Sequence, residues 1–263
     1  MMLNSNTMNL IENIIRCYSA FGERPSSFNN RKFSFYVLPR WRNAVMSPIY
    51  LRKDKVLNER DLRQLEIYFN RNPAKSKHDA STPYFQKLIT PKHKCDKHLE
   101  KFLKIKKWSA QKELSTLNYW TTIQPFKLPS SLHLRVGSYF DSGLQHDFRT
   151  LLKLCFKRGD TFVQNLEFGI RTVQENTHVV LFYNKQNKPC ACGLVTWGKS
   201  GGFLWCGAVA PQYRSRGYWR QLVAARQMIS ARYGVNFWIT TTSNPRIAGN
   251  ADGYYKIMTF KKL

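Results

Sequence analysis

The stretch GAVAPQYRSRGYWRQLVAARQMISARYG, Gly207–Gly234, decides how the rest of the chain is read. It opens as a short apolar run ending at Pro211 and passes through Arg214-Ser215-Arg216-Gly217. It then places Trp219, Leu222, Val223, Ile229 and Tyr233 at helical spacing. The pattern predicts a strand, a basic loop and a helix over 218–233. The first amides of a helix have no partner within it, and the helix dipole adds positive charge there, so such a loop suits an anion. Gly217 lets backbone come close, and the guanidinium groups of Arg214 and Arg216 match phosphate oxygens. The spacing therefore predicts a diphosphate cradle. The motif alone leaves open an ordinary exposed basic loop.

Upstream, LHLRVGSYF alternates as a strand. SGLQHDFRTLLKLCFKRG puts Leu144, Phe148, Leu151, Leu152, Cys155 and Phe156 on one helical face, and DTFVQNLEFGIRTV continues as a second helix. HVVLFYN, KPCACGLVTWG and GGFLWCGAVAP read as three consecutive strands. Downstream, VNFWITTTSN is a further strand, PRIAGNADGYYKIM a broken or short helix, and TFKKL closes the chain. The first half is less regular. It predicts a helix over 8–18, a strand at KFSFYVL, and a helix over 58–70. A mostly looped 71–92 with one short helix and a basic helix over 96–113 follow. Pro129-Ser130-Ser131 marks a composition change, dividing the chain into a basic region 1–130 and an ordered region 131–263. No internal repeat is legible.

The order strand, helix, helix, three strands, basic loop, helix, strand, helix, strand resembles the GNAT superfamily of N-acetyltransferases over about residues 132–263. That family's acyl-CoA loop reads Gln/Arg-x-x-Gly-x-Gly/Ala, and Arg214 to Trp219 meets it at the arginine and the glycine. AVAPQY is similar to its strand-end Val-x-Pro segment, TTTSN to a strand ending on Asn, and YYKIMTF to its FYEKLGF ending. The resemblance implies an α/β fold, a mixed and mostly antiparallel sheet flanked by helices, here with a basic α+β extension at the N-terminus. It implies acetyl-CoA or a related acyl-CoA as cofactor. Ala208, Val209 and Ala210 would meet the pantetheine arm. Arg214, Ser215, Arg216, Gly217 and Trp219 would hold the diphosphate. Tyr255 would protonate the leaving thiolate, with Tyr254 the competing choice and Asn244 beside them.

Three departures from the family pattern stand out. Trp219 replaces a small residue, the seventh strand is missing unless a segment such as KFSFYVL supplies it, and residues 201–251 hold no carboxylate. Base candidates from elsewhere are Glu167, Glu175, Asp141 and His178. Cys206, near the thioester position, reads as core first and as an acyl-accepting nucleophile second.

A formal charge of +26 and a pI near 10.1 point to a polyanionic partner. The charge is spread: residues 1–130 hold 24 Lys+Arg against 10 Asp+Glu, and residues 131–263 hold 18 against 6. Aromatic–basic runs such as RKFSFYVLPRWR suit nucleic acid, with DNA and tRNA both open. SNPRIAGNADGYY is loosely similar to the terminal segment of phage DNA-modifying acyltransferases. No membrane span or targeting signal is legible, and an intracellular, cytoplasmic location is expected. His93, Cys95 and His98 lack the spacing of a zinc site, so no metal is expected. The expected activity is transfer of an acyl group to an amine of a nucleic acid or of a group it carries. A non-catalytic GNAT-like binder and a protein or small-amine acetyltransferase are the alternatives.

Overall fold

The computed structural model describes residues 26–29, 33–37, 49–51, 85–90, 108–110, 115–156, 160–171, 173–198, 201–242, 244, 247 and 250–262. It also describes isolated helical positions at 60, 63, 64, 67, 101, 104 and 105. The expected 8–18 helix and the His93-Cys95-His98 group fall outside these residues. The strands in chain order are β1 (Ser26–Asn29), β2 (Phe33–Val37), β3 (Ile49–Leu51), β4 (Phe85–Thr90), β5 (Trp108–Ala110) and β6 (Ser115–Trp120). They continue with β7 (Leu132–Ser138), β8 (Thr177–Asn184), β9 (Pro189–Trp197), β10 (Gly201–Val209), β11 (Phe237–Thr242) and β12 (Gly253–Lys262). The helices are α1 (Ser142–Phe156), α2 (Asp160–Arg171) and α3 (Tyr218–Ala231). The chain forms two compact units, 1–22 with 119–240 and 23–118 with 241–263, each drawing on both halves of the sequence.

In the first unit β7, β8, β9 and β10 form an antiparallel meander, and β11 lies parallel to β10. β8 and β9 are buried along almost their whole length, which explains their near-continuous apolar runs. α1 starts where the Asp141 carboxylate accepts the N–H groups of Gly143 (3.1 Å) and Leu144 (3.2 Å). It buries Leu144, Phe148, Leu151 and Leu152, but the expected stripe stops there: Cys155 is half-buried and Phe156 is exposed. Leu222, Ala225 and Ile229 of α3 pack with Val180, Phe182 and Ala191 of the sheet. The segment after β6 straps that helix. Gln227 Oε1 accepts the Gln124 N–H (2.9 Å), and Gln221 Oε1 accepts the Lys127 N–H (2.7 Å).

Two irregularities matter for function. First, β10 carries a bulge. Trp205 pairs with Leu194 and Ala208 with Cys192, so Cys206 and Gly207 together face Gly193 alone. Cys206 takes φ 50° there. Second, the parallel pairing of β10 with β11 ends at Phe203 opposite Ile239, although β10 runs on to Val209. At the next position the Thr240 hydroxyl, not a ladder amide, donates to the Leu204 carbonyl. The two strands part at that point.

In the second unit β1, β2 and β3 are antiparallel neighbours, and β3 pairs in parallel with β4 through Ile49–Leu88 and Tyr50–Ile89. β12 lies antiparallel to β4 from Lys256–Thr90 to Lys261–Phe85, and also pairs with β5 and β6. Four expectations change here. GYYKIMTFKK is a strand from Gly253 onward, not a helix followed by a short strand. Its tyrosines, Ile257, Thr259 and Phe260 favour strand, and pairing with β4 overrides a helical reading. The expected loop at 71–92 contains β4. The expected 96–113 helix has helical positions at 101, 104 and 105 but gives way to β5 at Trp108. KFSFYVL is β2, paired with β1 and β3, and the neighbours of β12 come from β4, β5 and β6 instead.

Candidate functional site

The site is built from the end of β10 and the start of α3. The Ala210 N–H donates to the Cys190 carbonyl (2.9 Å), so the amide of Ala210 is taken by β9. Amides alternate between the two sides of a strand, so the Val209 N–H faces the side that β11 has left. The Val209 carbonyl accepts Nε of Arg214 (3.1 Å), which folds that side chain back along the strand end. A single 3-10 turn, Pro211–Tyr213, reverses the chain. The Arg216 guanidinium then sits over the Tyr213 ring, 5.7 Å from its centre.

Ser215 (φ 62°) and Gly217 (φ 76°) are both left-handed and bracket Arg216. Ser215 pays a steric cost for that conformation, which Gly217 avoids. Gly217 caps α3, and no side chain bonds to its first amides. The N–H of Gln221 is the first to find its carbonyl, that of Gly217 (3.2 Å). No acidic residue lies in the first turn, and Arg214, Ser215, Arg216, Gly217 and Arg220 are exposed. Open amides and three guanidiniums without a carboxylate make a fit for a diphosphate.

Trp219 turns inward. A Cβ on Gly207 would fall 2.6 Å from the indole Cη2, so the ring uses the room that the missing side chain leaves. The indole Nε1 is buried and has no hydrogen-bond partner. Over its ring lies Arg226 (Cζ to centroid 5.5 Å), which is 0% exposed. Nη1 of Arg226 donates to the carbonyls of Leu194 (3.3 Å) and Trp205 (3.4 Å), Nε to that of Leu222 (3.1 Å), and Nη2 has no partner. Burial pulls the guanidinium down to about 10, with the Cys192 and Cys206 thiols opposing, so it is charged at neutral pH. Burial pushes the Cys206 thiol up to about 12 against the pull of Arg226. The shift keeps that thiol protonated at neutral pH.

Of the base candidates, Glu167 and Asp141 are engaged in other bonds. Glu167 Oε1 accepts the Tyr139 hydroxyl (2.6 Å) and pairs with Arg149 (3.1 Å). Asp141 caps α1, and Glu175 is exposed in the turn Gln174–Asn176. His178 lies edge-on to Trp197 (4.9 Å) and near Tyr233 (6.1 Å). Tyr233 follows the C-terminal end of α3, about 20 Å of helix away from Gly217. Tyr254 and Tyr255 lie on β12, a strand and not the expected helix. Asn244 is exposed after β11, and its N–H bonds the Thr242 hydroxyl (3.0 Å). Sequence reasoning missed Arg226, Gly193, Gly207 and Thr240. The signals were there: an arginine inside an apolar helical stripe, and single glycines within two apolar strands.

No protein-family model and no curated protein matches the sequence. Solved structures do match. A GCN5-related N-acetyltransferase from Kribbella flavida is similar over 97% of this chain and 94% of its own, at 10% identity and TM-score 0.60. A second from Sphaerobacter thermophilus covers 96% and 91%, at 12% identity and TM-score 0.57. The fold is that of the GCN5-related N-acetyltransferases. A tandem GNAT protein from the clavulanic acid biosynthesis pathway matches over 93% of this chain and 86% of its own, at 12% identity and TM-score 0.58. Among the described residues no helix is long and apolar enough to cross a membrane.

Proposed function

We propose that the chain is an acyl-CoA-dependent N-acyltransferase, most simply an acetyltransferase. One observation carries this reading: two parallel strands part directly beside a helix whose first amides are free and ringed by arginines. Arg214, Arg216 and the amides at the start of α3 hold the diphosphate, and the Val209 N–H meets the pantetheine arm. Bound acyl-CoA would supply an acyl thioester, whose carbonyl carbon would bond to the acceptor nitrogen as the bond to sulfur breaks, the nitrogen losing a proton to water and the sulfur leaving as a thiolate. Backbone N–H groups of β10 would polarise that carbonyl. The sequence resemblance makes Tyr255, with Tyr254 the competing choice, the proton donor for that thiolate, and Asn244 a further candidate. No carboxylate lies in residues 201–251, which favours an acceptor amine that is already largely neutral.

The acceptor we infer is an amine on a nucleic acid or on a group carried by one. The support is the +26 charge, spread over both halves of the sequence. The test is mass spectrometry of DNA, tRNA and protein from cells expressing the chain or its Arg214→Ala variant. Acylation of DNA or tRNA that disappears in the variant supports the reading, and a product found only on protein or small amines replaces the acceptor. A second reading has the absence of a carboxylate from residues 201–251 in its favour, since no general base stands in that stretch. In that reading the protein grips nucleic acid without turnover. Calorimetry with acetyl-CoA separates the two, because the binder shows no heat of binding.

A further inference from the structure

The bulge on β10 shifts its register with β9, and an arginine bonds to the last pair before the shift. Between Trp205–Leu194 and Ala208–Cys192 the pairing skips, and the carbonyls of Trp205 and Leu194 both receive Nη1 of Arg226. The slot is made to measure. A Cβ on Gly193 would lie 3.0 Å from Nη1, and one on Gly207 would lie 3.2 Å from Nη2. Trp219 closes the slot with its ring face. The charge itself needs explaining. A buried cation is costly unless paired, yet no salt bridge to Arg226 occurs among the described residues, and Nη2 is left without a bond. A hydrocarbon side chain would fill the same slot at no electrostatic cost. A positive charge held by carbonyls alone behind a strand bulge stabilises negative charge that develops in front of it.

We propose that Arg226 is a positioning residue for acyl transfer: it holds the β10 bulge in shape and places a fixed positive charge behind the amides that face the acyl carbonyl. It touches neither cofactor nor acceptor and acts through Trp205, Cys206 and Gly207. The assignment rests on the acyltransferase reading above.

The test uses the full-length protein and acetyl-CoA labelled with carbon-13 at the carbonyl. The carbonyl resonance and its stretching frequency report polarisation without any acceptor being known. In the wild type, binding moves the resonance downfield and lowers the stretch. In Arg226→Met the shift is lost, while the Kd for acetyl-CoA stays within about threefold, because the diphosphate grip at the start of α3 is intact. Arg226→Lys keeps the charge but not the two-carbonyl bridge and gives an intermediate shift. Gly193→Ala presses on the guanidinium from below and gives a partial loss even if Arg226→Met does not fold. Wild-type binding with an unchanged carbonyl shift in Arg226→Met or Gly193→Ala overturns the assignment alone. Absence of acetyl-CoA binding by the wild type overturns the acyltransferase reading and the assignment with it.

Discussion

The two units share one strand pattern, and the sequences between their parallel strands differ. In each, successive antiparallel strands lead to a strand whose next partner is parallel: β8, β9, β10 and β11 in one, β1, β2, β3 and β4 in the other. Helix lies between the parallel partners in both, α3 in the first and the helical positions 60, 63, 64 and 67 in the second. The run that leads into helix reads PQYRSRG in the first unit and RKDKVLNE in the second. Both are basic, but only the first has a glycine, and only the second carries acids. A helix start becomes an anion site when the backbone is free to turn its amides outward and no carboxylate competes for them. The strand pattern therefore supplies a place, and the loop chemistry decides whether the place is used.

The sharpest way to break this contrast is to count acetyl-CoA molecules per chain. Calorimetry is expected to give one. Arg216→Ala and Arg214→Ala should each weaken binding by about 10- to 100-fold, the worth of a charge-assisted bond to phosphate. Ala substitutions at Arg52 and Lys53 should leave it unchanged. Two molecules per chain, or equal losses from both runs, would make the second unit a site as well.

A smaller effect tests the packing that separates the first unit's helix from a plain one. Gly207→Ala drives a Cβ into Trp219 and should cost about 1–3 kcal/mol. That corresponds to a drop in Tm of a few degrees per kcal/mol for a chain of this size, on the order of 2–4 °C each. Trp219→Ala in the same chain should restore part of it, since the clash is with that ring. If the double variant melts no higher than Gly207→Ala alone, the indole is not what fills the slot. Below this in size comes Thr240→Val, which removes the hydroxyl bonded to the Leu204 carbonyl where β10 and β11 part. About 1 kcal/mol of stability should go with it.

How much of this was legible before the structure depends on whether the information was local. The strands 132–138, 177–184, 189–197 and 201–209 and helix α3 were readable, because alternation and helical spacing are written in neighbouring residues. So was the loop at Arg214–Gly217. β12 was legible only at its end: GYYKIM looks helical by its company, and pairing with β4 far upstream extends the strand back from TFKK. The repeated strand pattern was invisible for a related reason, since it lies in pairing order and not in residue identity. Arg226 hid because a lone arginine in a helix normally reads as solvated. Its burial follows from Gly193 and Gly207, which become neighbours only when β9 and β10 pair out of step.

The smallest expected effect asks whether the first unit can be loosened by itself. Tyr139 donates to Glu167 (2.6 Å) and Tyr183 to Asp147 (2.7 Å), and both rings are almost fully buried. Burial first, and then the bond to a carboxylate, raises both phenols above their ordinary value of 10.0. A phenol held protonated in the folded chain stabilises fully below that value. Above it the unfolded chain gives up protons that the folded chain keeps, so stability falls as pH rises. From about pH 9 to about pH 11 the wild type should lose Tm more steeply than Tyr139→Phe/Tyr183→Phe, whose rings have nothing to titrate. Both tyrosines belong to the first unit, so thermal scans that resolve two transitions should show the steeper loss in one of them. Equal slopes in the two proteins would mean that these two phenols do not set the alkaline limit of the fold.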